Sequence, residues 1–280
     1  MYPKQLQAHP GIVYYRESDC FRDNPNHLVH TYLHKKYNHK MHVHQFCEIN
    51  IIASGEGQHY IGNSALSASV GDVFIIPPYV AHGYFSNGNL DILHILLRSD
   101  FMQRYREELC QLPCYSLLFD IEPQIRRSSG EAYNLQIPSY LFSAIREECL
   151  RLIEIEKMEQ YTYQNVLTLG LIGKLGELLR QSMQSSSACS RGSDLLWVME
   201  YIQDNLEQKL TLDLLAAKAN MSKSTLNRHF ERNLHISPMQ YVMECRLEKA
   251  KTLLSQGTLS KTEIAHLCGF FDISHMNKYL

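Results

Sequence analysis

Four side chains near the start of the chain could hold a metal ion or a polar ligand between them. They fall in the pattern His42-x-His44-x3-Glu48-x6-Gly55, followed by Gly71-x5-Pro77-x4-His82. Side chains two residues apart share one face of a strand, so His42 and His44 point the same way. Three imidazoles and a carboxylate form a donor set for Fe, Mn, Ni or Zn. The same residues also suit the polar lining of a pocket, since barrel mouths commonly take small molecules. We read His42, His44, Glu48 and His82 as a small-molecule pocket, with metal coordination as the rival use. No cofactor is implied elsewhere, for no phosphate-binding glycine loop or nucleophile motif stands out.

The elements that must position these residues follow from the surrounding pattern. From His42 to about Arg98, short apolar runs are broken by Gly, Asn, Ser and Pro. Glu48 to Ala53, Gln58 to Ile61, Val73 to Ile76 and Leu90 to Leu97 read as strands, with Gly62-Asn63 as a tight turn. Many short strands at close spacing predict a small barrel or sandwich. Residues 1–40 are polar and show no clear period. Residues 99–137 look irregular, with an exposed loop at Arg126-Arg127-Ser128-Ser129-Gly130.

From Ser139 the period becomes helical. Leu141, Ile145, Cys149, Leu152 and Ile155-Glu156 line one helix, which ends near Met158. A second helix runs from about Tyr161 to Met183 and carries Val166, Leu167, Leu171, Leu175, Leu178 and Leu179 inward. Gly170, Gly173 and Gly176 recur on it every three residues. Glycine lowers helix stability by about 1 kcal/mol against Ala, so the three predict a close backbone approach to another helix. The serine-rich stretch from Gln184 to Ser193 reads as a linker.

Beyond the linker one pattern is written twice. Leu215-Ala216, Asn220 and Met221 return 49 residues later as Ile264-Ala265, Gly269 and Phe270. Each copy reads as helix, tight turn, helix: Ala lets helices cross closely, and Asn or Gly can take a left-handed backbone. Thr211, Ser222, Ser237-Pro238-x-Gln240 and Ser260-x-x-Glu263 mark helix starts. Leu226 and Phe230 face inward by their spacing. Ser224, Thr225, Asn227 and Arg228 are then left for base edges, and Lys223 and Arg232 for phosphates. In the second copy Met276 points inward, while Ile273, Ser274, His275, Asn277 and Lys278 face outward.

Two such units joined by a long helix resemble the AraC/XylS family of bacterial transcription regulators. The likeness rests on Leu215-Ala216, Ser222, Leu226, Arg228 and Phe230, then Ile264-Ala265, Gly269-Phe270 and the run Asp272 to Tyr279. The histidine pattern in turn resembles the two-part motif of the cupin barrel, a usual effector domain in that family. In metal-binding cupins the positions of His42, His44, Glu48 and His82 converge on one ion. One departure is Tyr79, which stands where the motif expects Gly. The resemblance implies a multi-domain α+β chain: cupin-like barrel (1–137), helical dimerisation pair (138–183), linker (184–193), then an all-α double helix-turn-helix domain (194–280). It further implies a homodimeric activator that binds double-stranded DNA, a sugar or related metabolite, and RNA polymerase.

Family members continue beyond the second recognition helix, whereas this sequence stops at Leu280, where the resemblance puts a buried aromatic. A helix of about nine residues is too short to be stable alone, so the second unit is expected to be frayed. Two rival readings follow, a metal-dependent cupin enzyme and a DNA-incompetent dimerising decoy. The enzyme reading leaves the repeat unexplained, and we read the chain as a non-enzyme.

Composition sets limits on partners. The net charge is −2, and residues 195–280 hold ten Lys and Arg against nine Asp and Glu. DNA affinity must therefore come from local placement and not from a basic domain. Eight cysteines without a Cys-x-x-Cys pair argue against a zinc finger and for free thiols in a reducing cytoplasm. No apolar run approaches membrane-spanning length.

Overall fold

A computed structural model describes residues 12–61, 64–123, 135–185, 191–234, 236–257 and 259–280. The expected turn at Gly62-Asn63, the Arg126 to Gly130 loop and linker residues 186–190 lie outside them. The chain divides into two compact units, Met1–Ser185 and Ser186–Leu280. Among the described residues no helix is long and apolar enough to cross a membrane.

The first unit is built on two five-stranded sheets. One has the order β1 (Val13–Tyr15), β3 (His39–His44), β8 (His82–Phe85), β5 (Glu56–Ile61), β6 (Ser64–Ser69). The other runs β10 (Leu135–Gln136), β7 (Asp72–Ile76), β4 (Cys47–Ser54), β9 (Asp91–Leu97), β2 (Val29–His34). All pairings are antiparallel except β1 with β3. In β4, Cys47 to Ile52 are buried without alternation. A strand covered on both faces reads this way. Tyr37, Ile52, Phe74, Ile76, Tyr84 and Ile92 belong to one buried cluster.

Two stretches are more regular than the sequence indicates. Residues 1–40 contain β1, α1 (Glu17–Cys20) and β2. In β2, Val29 and Thr31 are buried while His30 and Tyr32 on the other face are half-buried, so no clean apolar alternation announces it. Residues 99–137 hold α2 (Ser99–Arg104), α3 (Arg106–Gln111) and a π-helical turn at Leu117–Ile121 whose residues are mostly buried.

Helix α4 (Ser139–Lys157) lies against β2, and α5 (Tyr161–Ser185) packs beside α4. Ile145, Cys149, Leu152, Ile155 and Glu156 are buried as their spacing predicts. Val166 is not, being 55% exposed; Gln164, Asn165 and Thr168 take the inward positions instead. The glycines also act differently. A Cβ on Gly176 would fall 1.9 Å from the Pro113 carbonyl oxygen, one on Gly173 would meet Leu112, and one on Gly170 would meet nothing. The close approach is to the segment after α3 and not to another helix.

In the second unit, α6 (Arg191–Asp204) begins inside the expected linker. It is followed by α7 (Leu212–Lys218), α8 (Lys223–Leu234), α9 (Pro238–Gln256), α10 (Lys261–Leu267) and α11 (Ile273–Asn277). Thr211 and Asp272 cap their helices, and Ser237 and Ser260 form capping boxes with Gln240 and Glu263. The two turns carry Asn220 at φ 52° and Gly269 at φ 77°.

The second copy is short but packed. Ile264, Ala265, Cys268, Phe270 and Met276 share one buried cluster with Ala250, and Ile273 packs against it. The expected fraying is therefore replaced by tertiary packing, which stabilises helices too short to persist alone. Ile273 turns inward instead of facing outward. Helix α11 is only five residues long, and Leu280 is 47% exposed.

Candidate functional site

Inside the barrel, β3, β4 and β8 bring the four spaced residues together. A register shift in the β3–β8 pairing sets His42 directly opposite His82. One ligand atom from each of His42, Glu48 and His82 lies within 4.8 Å of the others. His44 Nε2 and His82 Nε2 are 3.2 Å apart, and each stands 3.4 Å from Glu48 Oε2. All four side chains are buried, so the cluster sits deeper than a barrel mouth. Tyr79, the departure from the cupin pattern, takes φ 64°, the left-handed conformation in which glycine is normally found.

Hydrogen bonds fix how these rings present themselves. His44 Nδ1 is 2.7 Å from the Phe46 carbonyl oxygen, and His42 Nδ1 is 3.1 Å from that of Lys40. A carbonyl only accepts, so both rings carry a proton on Nδ1, which in a neutral ring leaves the Nε2 lone pair for the interior. Metal-ligating histidines are held in this way. His82 Nδ1 has no partner and Glu48 Oε2 accepts no hydrogen bond. Burial pushes the Glu48 carboxyl up, but the surrounding histidines, His94 hydrogen-bonded to it among them, outweigh burial and hold it well below its ordinary range. Burial lowers His42 to about 4 and takes His82 well below its usual value. An ionised Glu48 beside the neutral imidazoles of His42 and His82 is the protonation state that a divalent transition metal requires. The donor set fits such an ion, and fits equally a ligand that offers hydrogen-bond donors to Glu48.

In the second unit, α8 buries Leu226 and Phe230 and leaves Lys223, Ser224, Arg228 and Arg232 exposed, with Thr225 and Asn227 half-buried. Lys223 Nζ is 2.9 Å from Asp213 Oδ1. Ser222 accepts from the Thr225 N–H at 3.1 Å and exchanges a hydroxyl contact with Thr225 at 2.9 Å, which ties Thr225 to the helix cap. On the second copy Ser274, Asn277 and Lys278 are exposed. His275 is half-buried, its ring edge-on to Phe270 at 5.6 Å, so it braces the turn as well as facing out.

Residues 24–135 match the AraC-like ligand binding domain, and residues 215–280 match a helix-turn-helix domain. The chain belongs to the AraC family of transcription regulators. The transcriptional activator RhaS of Klebsiella pneumoniae (strain 342) is 25% identical over 236 residues, which cover 84% of this chain and 81% of RhaS. RhaS of Escherichia coli O1:K1 / APEC is 27% identical over 243 residues with the same coverage. A solved AraC-type regulator from Chromobacterium violaceum is 31% identical over 32% of this chain and 81% of its own, with a TM-score of 0.30.

This AraC-family chain has site residues that spacing does not reveal. His94 on β9 donates Nδ1 to Glu48 Oε1 at 2.8 Å. Tyr32 on β2 stacks on His94, with centroids 4.7 Å apart and planes at 12°. Asn50 donates to the Tyr84 hydroxyl at 3.2 Å. A single His inside the apolar run Asp91–Leu97 was the only sequence signal for His94. His39 on β3 is half-buried and lies 3.0 Å from the Tyr15 hydroxyl.

A second carboxylate cluster lies at the barrel's flank. His27 Nε2 and His30 Nδ1 reach Glu156 Oε1 at 2.8 and 2.6 Å, while the Thr31 N–H and Gln164 Nε2 donate to Oε2 at 2.8 and 3.0 Å. The residue types suit a metal, but the tautomer does not. The Arg22 N–H donates to His27 Nδ1 at 2.8 Å, so the neutral ring keeps its proton on Nε2, pointed at Glu156. The cluster is a clamped carboxylate. Burial raises Glu156, but the His27 and His30 hydrogen bonds win and bring it down to about 2.

Proposed function

We propose that this chain is a sequence-specific DNA-binding activator controlled by a small molecule held in the barrel by His42, His44, Glu48 and His82. Lys223, Ser224, Thr225, Asn227, Arg228 and Arg232 read or anchor to one stretch of major groove. Ser274, His275, Asn277 and Lys278 do so at the next. The observation that carries this reading is α8 itself, whose apolar side is buried on Leu226 and Phe230 while Arg228 stays exposed. Arg can pair with guanine through two hydrogen bonds, and Asn with adenine.

The protein works as a cytoplasmic homodimer acting on RNA polymerase, with residues 1–137 sensing, 138–183 pairing subunits, 184–193 linking and 194–280 reading DNA. Its relatives' description as activators supports the sign of regulation. The test is fluorescence anisotropy on the chain's own upstream DNA against a scrambled duplex over a salt series. Arg228→Ala is expected to weaken selective binding by about 1–3 kcal/mol. Equal, weak and strongly salt-dependent binding to both duplexes would leave only backbone contacts and end the reading.

A further inference from the structure

Glu48 inside the barrel and Glu156 on its flank are each clamped by histidine, and a line of rings joins them. His94 donates to Glu48 Oε1 and stacks on Tyr32, its direct cross-strand partner between β9 and β2. Tyr32 lies 5.1 Å from the ring of His30, two residues along the same face. His30 donates to Glu156 Oε1. Glu156 occupies the last turn of α4, and Gln164, which holds its other oxygen, occupies the first turn of α5.

We propose that this line is the path by which occupancy of the barrel site is transmitted to the helical pair. The inference rests on the reading of Glu48 and its histidines as the ligand site. A ligand that engages Glu48 Oε2 draws the carboxylate toward itself and loosens Oε1 from His94. The rings of His94, Tyr32 and His30 lie in van der Waals succession, and packed interiors shift between discrete arrangements instead of absorbing a displacement. At the far end, Glu156 Oε1 is shared by His27 and His30, so moving His30 changes which donor holds it.

Geometry then amplifies the change. Helix α5 starts at the clamp and ends at Ser185, the last residue of the unit. At 1.5 Å per residue it is a rod of roughly 37 Å, so a tilt of about 5° at its start moves its end by about 3 Å. The clamp thus sits at the end of α5 where a small motion has most leverage.

The test uses the full chain with Co2+ as the probe, its visible absorption reporting occupancy. Amide hydrogen exchange over residues 150–168 reports the clamp. Co2+ is expected to change that exchange by about fivefold in the parent chain, an ordinary coupling magnitude. In His30→Ala it should bind equally well and leave exchange over 150–168 unchanged. His30→Gln, which keeps a donor for Glu156 but removes the ring, should match His30→Ala, and Tyr32→Phe should match the parent. Full transmission in both His30 variants, or Co2+ occupancy without any exchange change in the parent, overturns the path alone. Absence of Co2+ absorption in the parent overturns the divalent-ion use of the site alone, and the path is then overturned if Glu48→Ala, which removes the bond to His94, leaves exchange over 150–168 as in the parent.

Discussion

Nδ1 of His94 lies 2.8 Å from Oε1 of Glu48, and this bond turns the other carboxylate oxygen toward His44 and His82. Oε2 is buried there without accepting a hydrogen bond. A buried ionised oxygen lacking a donor destabilises the ligand-free protein. Binding and stability are therefore opposed at one atom.

Glu48→Gln is accordingly expected to stabilise the ligand-free chain while abolishing its response to ligand. The amide can donate to an Nε2 lone pair and still accept from His94. A gain of about 1 kcal/mol would raise Tm by roughly 2–4 °C, and Co2+ affinity should fall at least about tenfold. Thermal melts with and without Co2+ check both parts. A lowered melt with intact Co2+ binding would refute the argument.

Tyr79→Gly tests the strained corner. A left-handed backbone costs a bulky L-residue roughly 1–2 kcal/mol that glycine does not incur. Chemical denaturation should show a more stable protein by about 1 kcal/mol, with the greater freedom of unfolded glycine offsetting the rest.

How far the sequence reaches depends on whether partners lie close along the chain. His42, His44, Glu48 and His82 are legible because strand alternation and a fixed spacing tie them together. Leu226 and Phe230, and the turns at Asn220 and Gly269, are legible through repetition. Glu156 falls in the inward stripe of its helix, yet nothing local explains a carboxylate there, because His27 and His30 lie 129 and 126 positions away. Strand β2 escapes notice because its second face carries His30 and Tyr32, half-buried against His94 and Glu156, which blurs the usual alternation of apolar and exposed residues. The three-residue glycine spacing misleads in another way, since only Gly176 stands against backbone.

Those glycines can be separated by experiment. Gly176→Ala places a methyl group 1.9 Å from the Pro113 oxygen and should destabilise by about 2–4 kcal/mol. Gly170→Ala meets no neighbour and should stabilise by up to about 1 kcal/mol through helix propensity alone. Opposite signs in paired denaturant melts are expected. A loss at Gly170 as well would mean that this position meets a surface of a second chain.

Acid should undo the Glu156 clamp in a defined window. Its carboxyl is lowered to about 2 from an ordinary 4.5, so the unfolded chain takes up its proton first as pH falls. The stabilisation is fully present above the ordinary value and is lost between it and the folded one. Glu156→Gln should therefore cost about 2 kcal/mol near pH 6, with the gap to the parent narrowing below about pH 4.5. A gap independent of pH would show that the carboxylate's charge contributes nothing.

Strand β2 is the last strand of its sheet, and the Thr31 N–H on its open side is taken by Glu156. An edge with free amides invites another strand to add to it, which is how sheets grow into aggregates. A carboxylate delivered by a helix occupies that amide and puts a negative charge beside the row. The clamp thus also acts as a guard on assembly, and a chain that loses it exposes a strand on which foreign β-structure can grow.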